Sequence, residues 1–132
     1  MTEHPSATLI KQGYDAFAKL DMTTLTGLFD DNVVWHNPGA NMISGDYTGR
    51  DVVFAMFART LELNQGTGRF DVHDVVANDK HAVSLLQANV SRPDVGKSLN
   101  VKEIHVFHFR EGKISDVWVF SENQRLNDEF WS

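Results

Sequence analysis

Glu103 and His105 are the residues best placed to move a proton. They stand two apart in an extended apolar segment, residues 99–110, that reads as a strand. Residues at that spacing share one face, with Cα atoms about 7 Å apart. A carboxylate and an imidazole so placed could share a ligand or hydrogen-bond through long rotamers. Buried together they would titrate as a coupled pair, and either could serve as a base near neutral pH. The plainer alternative is that the two simply satisfy one another, since such pairs are often structural.

Three other polar positions invite the same question. Trp35-His36-Asn37 ends a short strand before Pro38-Gly39. Alternation puts Trp35 and Asn37 on one face and His36 on the other, where His36 would only fix the Pro38-Gly39 turn unless a bulge before Pro38 brings it round to line a pocket. Arg50 opens a helix in Gly49-Arg50-Asp51. It could meet an anion at the helix start, or pair with Asp46 or Asp51 to hold a loop. Glu122 follows the last strand, either as a further acid or as a solvated carboxylate.

Several chemistries are excluded. The chain has no cysteine, so it has no disulfide, thiolate metal site or cysteine nucleophile. His105 and His108 are three apart on a strand and point to opposite faces. No His-x-x-x-His pair or calcium loop is present. No glycine-rich phosphate loop follows a strand, and there is no Gly-x-Ser-x-Gly elbow. Neither metal nor cofactor is therefore expected. A net charge of -6 argues against nucleic acid or anionic lipid as partner. No apolar run reaches membrane-helix length, and the first residues lack a signal-peptide pattern. The expected location is cytoplasmic.

The elements that must position these residues fit one domain over residues 1–132. Ser6 is placed to cap a helix carrying Ile10, Tyr14, Phe17 and Leu20 at helical spacing. Asp21 starts a short second helix with Leu25, Leu28 and Phe29. Residues 33–37 form a strand, and a loop runs to Thr48. Thr48-Gly49-Arg50-Asp51 has capping-box spacing and opens a third helix bearing Val53, Met56 and Phe57. Residues 70–77, 81–91, 99–110 and 113–120 follow as a four-stranded meander. Helices gathered on one side of such a sheet make an α+β architecture.

Glu111-Gly112 reads as a two-residue hairpin loop. Arg110 then faces Lys113, Phe107 faces Asp116, His105 faces Trp118 and Glu103 faces Phe120. This register predicts one face with Glu103, His105, Phe107, Trp118 and Phe120, and another with Ile104, Val106, Val117 and Val119. Both faces are apolar, which is unusual for a sheet with one wet side. A homodimer built on the second face is the expected cover.

At this point the residues resemble a known group. The strings Asp31-Asn32-Val33-Val34-Trp35-His36-Asn37-Pro38-Gly39 and Gly45-Asp46-Tyr47-Thr48-Gly49-Arg50 look like the SnoaL-like signature. Glu103-Ile104-His105-Val106-Phe107, Gly112-Lys113-Ile114 and Asn127-Asp128-Glu129-Phe130-Trp131 look like a ketosteroid-isomerase-related branch of the same nuclear-transport-factor-2-like superfamily. The resemblance covers nearly the whole chain. It implies a cone-shaped, cystatin-like α+β barrel. Three N-terminal helices would pack on a strongly curved, mostly antiparallel sheet around an internal pocket, in a dimer.

The resemblance also allows a residue-by-residue comparison. Ketosteroid isomerase has a carboxylate base near the end of its first strand. Here Asn37 holds that place, and an amide cannot accept the proton. The isomerase's protonated Asp on the meander is replaced by His105, and its first-helix Tyr is matched by Tyr14. Glu122, four after Trp118, matches an acid common in SnoaL-like enzymes. The implied pocket is lined by Phe17, Trp35, Asn37, Met56, Phe57, Phe107, Trp118 and Phe120, with Tyr14, His105 and Glu103 as catalytic candidates. The expected function is cofactor-independent acid–base chemistry of isomerase, cyclase or hydratase type on a small apolar substrate. The alternative is a non-catalytic binder of a small hydrophobic metabolite, and a third reading is a plain dimerisation module. The superfamily's breadth of activity leaves these open.

Overall fold

A computed structural model describes residues 3–132. Helices α1 (Pro5–Ala18) and α2 (Met22–Leu28) precede strand β1 (Phe29–Asn37), strand β2 (Gly45–Thr48) and helix α3 (Arg50–Asn64). Strands β3 (Arg69–Ala77), β4 (His81–Arg92), β5 (Lys97–Arg110) and β6 (Lys113–Ser121) form the meander, and helix α4 (Gln124–Phe130) closes the chain. One six-stranded sheet runs β2-β1-β6-β5-β4-β3. β1 lies parallel to β6, and every other pairing is antiparallel. This is the α+β cone expected of the sequence.

Local signals account for most element ends. Asp21 caps α2 by accepting the Thr24 N–H at 3.1 Å, as its position predicts. Glu111 and Gly112 have φ of 51° and 75°. Positive φ at both central residues is what a tight hairpin turn compatible with strand twist requires.

Other ends differ from expectation. α1 starts at Pro5, and the His4 ring, not Ser6, caps it by accepting the Ser6 N–H. α3 starts after Gly49 without a side-chain cap, because Thr48 is still paired in β2. The expected loop before Thr48 contains β2 itself, a short edge strand too polar to announce itself by alternation. α4 was not anticipated, although Asn123 supplies its cap by accepting the Leu126 N–H at 3.2 Å.

The largest correction is the register of the last hairpin. Phe109 pairs with Ile114, but His108 pairs with Asp116. Ser115 is the extra residue of a β-bulge, and a bulge reverses the alternation beyond it. His105 therefore faces Val119, Val106 faces Trp118 and Ile104 faces Phe120. Trp118 and Phe120 lie on the outer face with Ile104 and Val106, while Val117 and Val119 turn inward beside Phe107 and His105.

The inner face and the helices form two apolar clusters. One gathers Ile10, Val33, Val53 and Val117 around α1, β1 and α3. The other gathers Leu99, Val101, Phe130 and Trp131 under α4. No helix among the described residues is long and apolar enough to cross a membrane.

Candidate active site

The two clusters do not meet everywhere, and a cavity of about 170 Å³ remains between helices and sheet. Its walls are almost wholly apolar. Phe17 meets Phe57 edge-to-face at 5.1 Å, and Phe57 meets Trp35 at 5.0 Å. Met56, Phe107 and Asn37 complete this side. Trp118 and Phe120, expected in the lining, are absent from it because the bulge turned them outward. Phe120 is 53% exposed.

Glu103, His105 and Tyr14 come together at the cavity wall. His105 is 1% exposed and Glu103 8% exposed. His105 Nε2 lies 2.9 Å from Glu103 Oε1, and Tyr14 Oη lies 2.6 Å from His105 Nδ1. With the carboxylate ionised, Glu103 can only accept, so Nε2 carries the imidazole proton. Nδ1 of the neutral ring then accepts from the Tyr14 hydroxyl. Both nitrogens of His105 are thus occupied, leaving none to touch a ligand. Glu103 Oε2, by contrast, has no hydrogen-bond partner among the described residues, and Glu103 lines the cavity.

The surroundings hold this row in place. Ser84 faces His105 across the strands and is fully buried. Phe70 of β3 sits edge-on to the His105 ring at 5.3 Å and stacks on Phe17 at 5.9 Å. It covers the row from the sheet edge, a contact that sequence spacing did not suggest. Burial pushes the Tyr14 phenol above its ordinary value of 10.0; the charge of Glu103 adds to this and the nearby Ser84 hydroxyl opposes it.

The raised phenol has a consequence for alkaline stability. A group that holds its proton more tightly when folded contributes fully below its unfolded pKa. That contribution is lost as pH rises through the folded value. Wild-type stability should therefore fall as pH climbs above 10. Tyr14→Phe should remove that part of the slope. Urea unfolding of both proteins at stepped alkaline pH measures it, and parallel slopes would disprove the assignment.

Asn37 takes a structural part. Its Oδ1 accepts the Trp35 indole N–H at 2.8 Å, and its Nδ2 donates to the Ile43 carbonyl at 3.0 Å. The amide binds strand to loop. That loop is clasped by α4, where Asp128 accepts from Asn41 at 2.8 Å and from Gln124 at 3.0 Å. Bonds from Gln124, then Asn41, then the Ala40 N–H hold the Asp128 carboxyl below the usual range against a small opposing effect of burial. Gly39, at φ 88°, passes so close that a Cβ there would lie 2.2 Å from Asp128 Oδ1. Only glycine suits both the conformation and the contact.

The remaining candidates lie off the cavity. His36 is on the outer face, bonded to Asp46 at 2.7 Å and stacked on Trp118 at 4.7 Å. Glu122 accepts the Lys102 N–H at 2.5 Å from an exposed position. Arg50 pairs with Asp31 at 2.7 Å, not with Asp46 or Asp51, and donates to the Thr26 carbonyl. It ties α3 to the start of β1.

With fold and cavity in view, comparison with known proteins decides the family. Residues 10–117 match the SnoaL-like domain. The chain belongs to the SnoaL-like family. Among solved structures it is similar to Bal32a from a soil-derived mobile gene cassette, at 35% identity and TM-score 0.90, covering 96% of this chain and 95% of that one. A protein of unknown function with a cystatin-like fold from Xanthomonas campestris is 27% identical, with TM-score 0.87 over 95% of this chain and 96% of that one. An uncharacterised protein of Mycobacterium tuberculosis is 27% identical over the full length of both chains. This SnoaL-like chain is a pocket protein, and its own side chains set the chemistry the pocket can do.

Proposed function

We propose that this SnoaL-like protein is a cofactor-independent acid–base enzyme acting on a small, largely apolar carbonyl compound, with Glu103 as the base. The observation that carries the reading is the open Oε2 of Glu103 in a buried, apolar cavity. A C–H bond beside the carbonyl breaks, and its proton goes to Oε2. The electron pair moves onto the carbonyl oxygen as an enolate. Where the enolate is conjugated to a C=C bond, return of the proton from Oε2 to the far carbon is isomerisation. Attack of the enolate carbon on a second carbonyl of the same molecule, with the proton on Oε2 passing to the alkoxide so formed, is cyclisation.

The neighbours serve the base. His105 N–H holds Oε1, which leaves the other oxygen aimed outward. Tyr14 fixes the tautomer that makes this possible, and its raised phenol keeps its proton on the oxygen. His105 and Tyr14 are positioning residues in this scheme. The test is solvent deuterium incorporation into enolisable methyl ketones such as acetophenone, followed by mass spectrometry. Incorporation above the rate in protein-free buffer supports the reading. A binding protein would hold the ketone and leave its protons in place.

The outer face supports a homodimer. Val76, Ile104 and Phe120 are 54%, 41% and 53% exposed there, beside Trp118. A contiguous apolar face on a sheet marks an association surface. Sedimentation should give a dimer at micromolar concentration, and Phe120→Lys should shift it to monomer without loss of fold. A monomeric wild type sinks this part alone.

A further inference from the structure

The cavity has a second polar group that the acid–base reading leaves unused. α4 turns Asn127 inward onto the cavity wall, at 8% exposure. Its Oδ1 accepts from the Ser121 hydroxyl at 2.7 Å. That hydroxyl also accepts the Asn123 N–H at 3.1 Å, which places its own proton free to point at Asn127. Nδ2 is left as a donor, and among the described residues it has no acceptor. Asn127 lines the cavity, and a donor there with no protein partner is free to meet a ligand acceptor.

Its location matters as much. Ser121 is the strand partner of Glu103. Paired residues share a face, with Cβ atoms about 5 Å apart. The unused donor of Asn127 is therefore one side chain away from the pair that holds the unused acceptor of Glu103. Donor and acceptor belong to one end of the cavity, with the aromatic wall of Phe17, Trp35 and Phe57 available for an apolar body.

We propose that Asn127 binds the carbonyl oxygen of the ligand, with the adjacent C–H directed to Glu103. The role of Glu103 here rests on the acid–base reading, whereas the oxygen contact stands on the geometry of Asn127. As the C–H proton passes to Glu103 Oε2, the electron pair moves to the oxygen that Asn127 Nδ2 already holds. The amide donates a hydrogen bond throughout and loses no proton. The arrangement selects a neutral ketone or similar carbonyl compound. A carboxylate ligand would set a second negative charge beside Glu103, and the one arginine of the lining, Arg69, is already paired with Asp71 at 2.9 Å.

Two compounds of nearly equal shape test the contact without requiring turnover. Acetophenone has a carbonyl oxygen where α-methylstyrene has a methylene. Wild-type protein should bind acetophenone about fivefold to tenfold more tightly by calorimetry, the range expected for one net hydrogen bond. Asn127→Leu should erase that preference while still binding α-methylstyrene, and Ser121→Ala should reduce it. Equal binding of the pair by wild type, failure to bind the ketone, or a preference that survives Asn127→Leu overturns the proposal. If Asn127→Leu does not fold, the wild-type protein decides by NMR. Its Asn127 side-chain amide resonances should shift with acetophenone and not with α-methylstyrene, and unchanged resonances overturn the assignment. A ketone preference without deuterium exchange would keep the oxygen contact and sink the acid–base reading.

Discussion

Glu103→Gln is expected to lower deuterium exchange into a bound ketone by about a hundredfold to ten-thousandfold, the usual contribution of a positioned base. The substitution keeps the shape of the side chain. Gln can still present its carbonyl oxygen to His105 Nε2–H, where Oε1 now sits at 2.9 Å. The fold and the apolar wall should survive, so acetophenone binding should change far less than exchange. What is lost is the only open carboxylate oxygen among the three residues of the row. If exchange persists at the wild-type rate in a folded Glu103→Gln protein, Glu103 is not the base. If ketone binding collapses together with exchange, the carboxylate shapes the cavity more than it moves protons.

His105→Phe is expected to destabilise the protein by at least about 1–3 kcal/mol, the usual cost of leaving a buried hydrogen-bonding group, here a carboxylate, without its donor. Phe fills a similar volume, so little of this comes from a cavity. Glu103 would lose its only donor and Tyr14 its acceptor, both in an apolar setting. The same change made in a Glu103→Gln background should cost less, because no buried charge is then stranded. The double-mutant cycle should show a coupling above about 1 kcal/mol, the mark of residues in direct contact. Chemical unfolding of the four proteins measures it. Additive effects would show that His105 acts only through its packing.

The order of elements and the face shared by Glu103 and His105 were legible because they depend on neighbours in sequence. Alternation along β5 places both residues on one face, whatever the strand pairs with. Alternation along β1 likewise puts Trp35 and Asn37 on one face and His36 on the other, and the resemblance implied that the first face looks into the pocket. The cap of α2 is equally local, since Asp21 reaches an N–H only three residues away.

The occupants of the cavity were legible only in part. Trp118 and Phe120 were misplaced because the bulge at Ser115 changes the face of every later residue in β6. β6 must satisfy β5 on one side and the distant β1, in parallel, on the other. The second demand is not visible in the hairpin itself. α4 was missed for a similar reason. Its seven residues are too few to hold a helix unaided. Arg92, which donates to the Phe130 carbonyl at 2.6 Å, and Asp128, which clasps the loop after β1, anchor it from remote parts of the chain.

By itself, then, the sequence determined the α+β order, the family resemblance and the inward pairing of a carboxylate with an imidazole. Only the tertiary structure decided that both nitrogens of His105 are occupied, that Glu103 keeps an open oxygen, and that Asn127 stands near it. Periodicity along one strand specifies a face, while hydrogen-bond occupancy depends on which distant side chains arrive there.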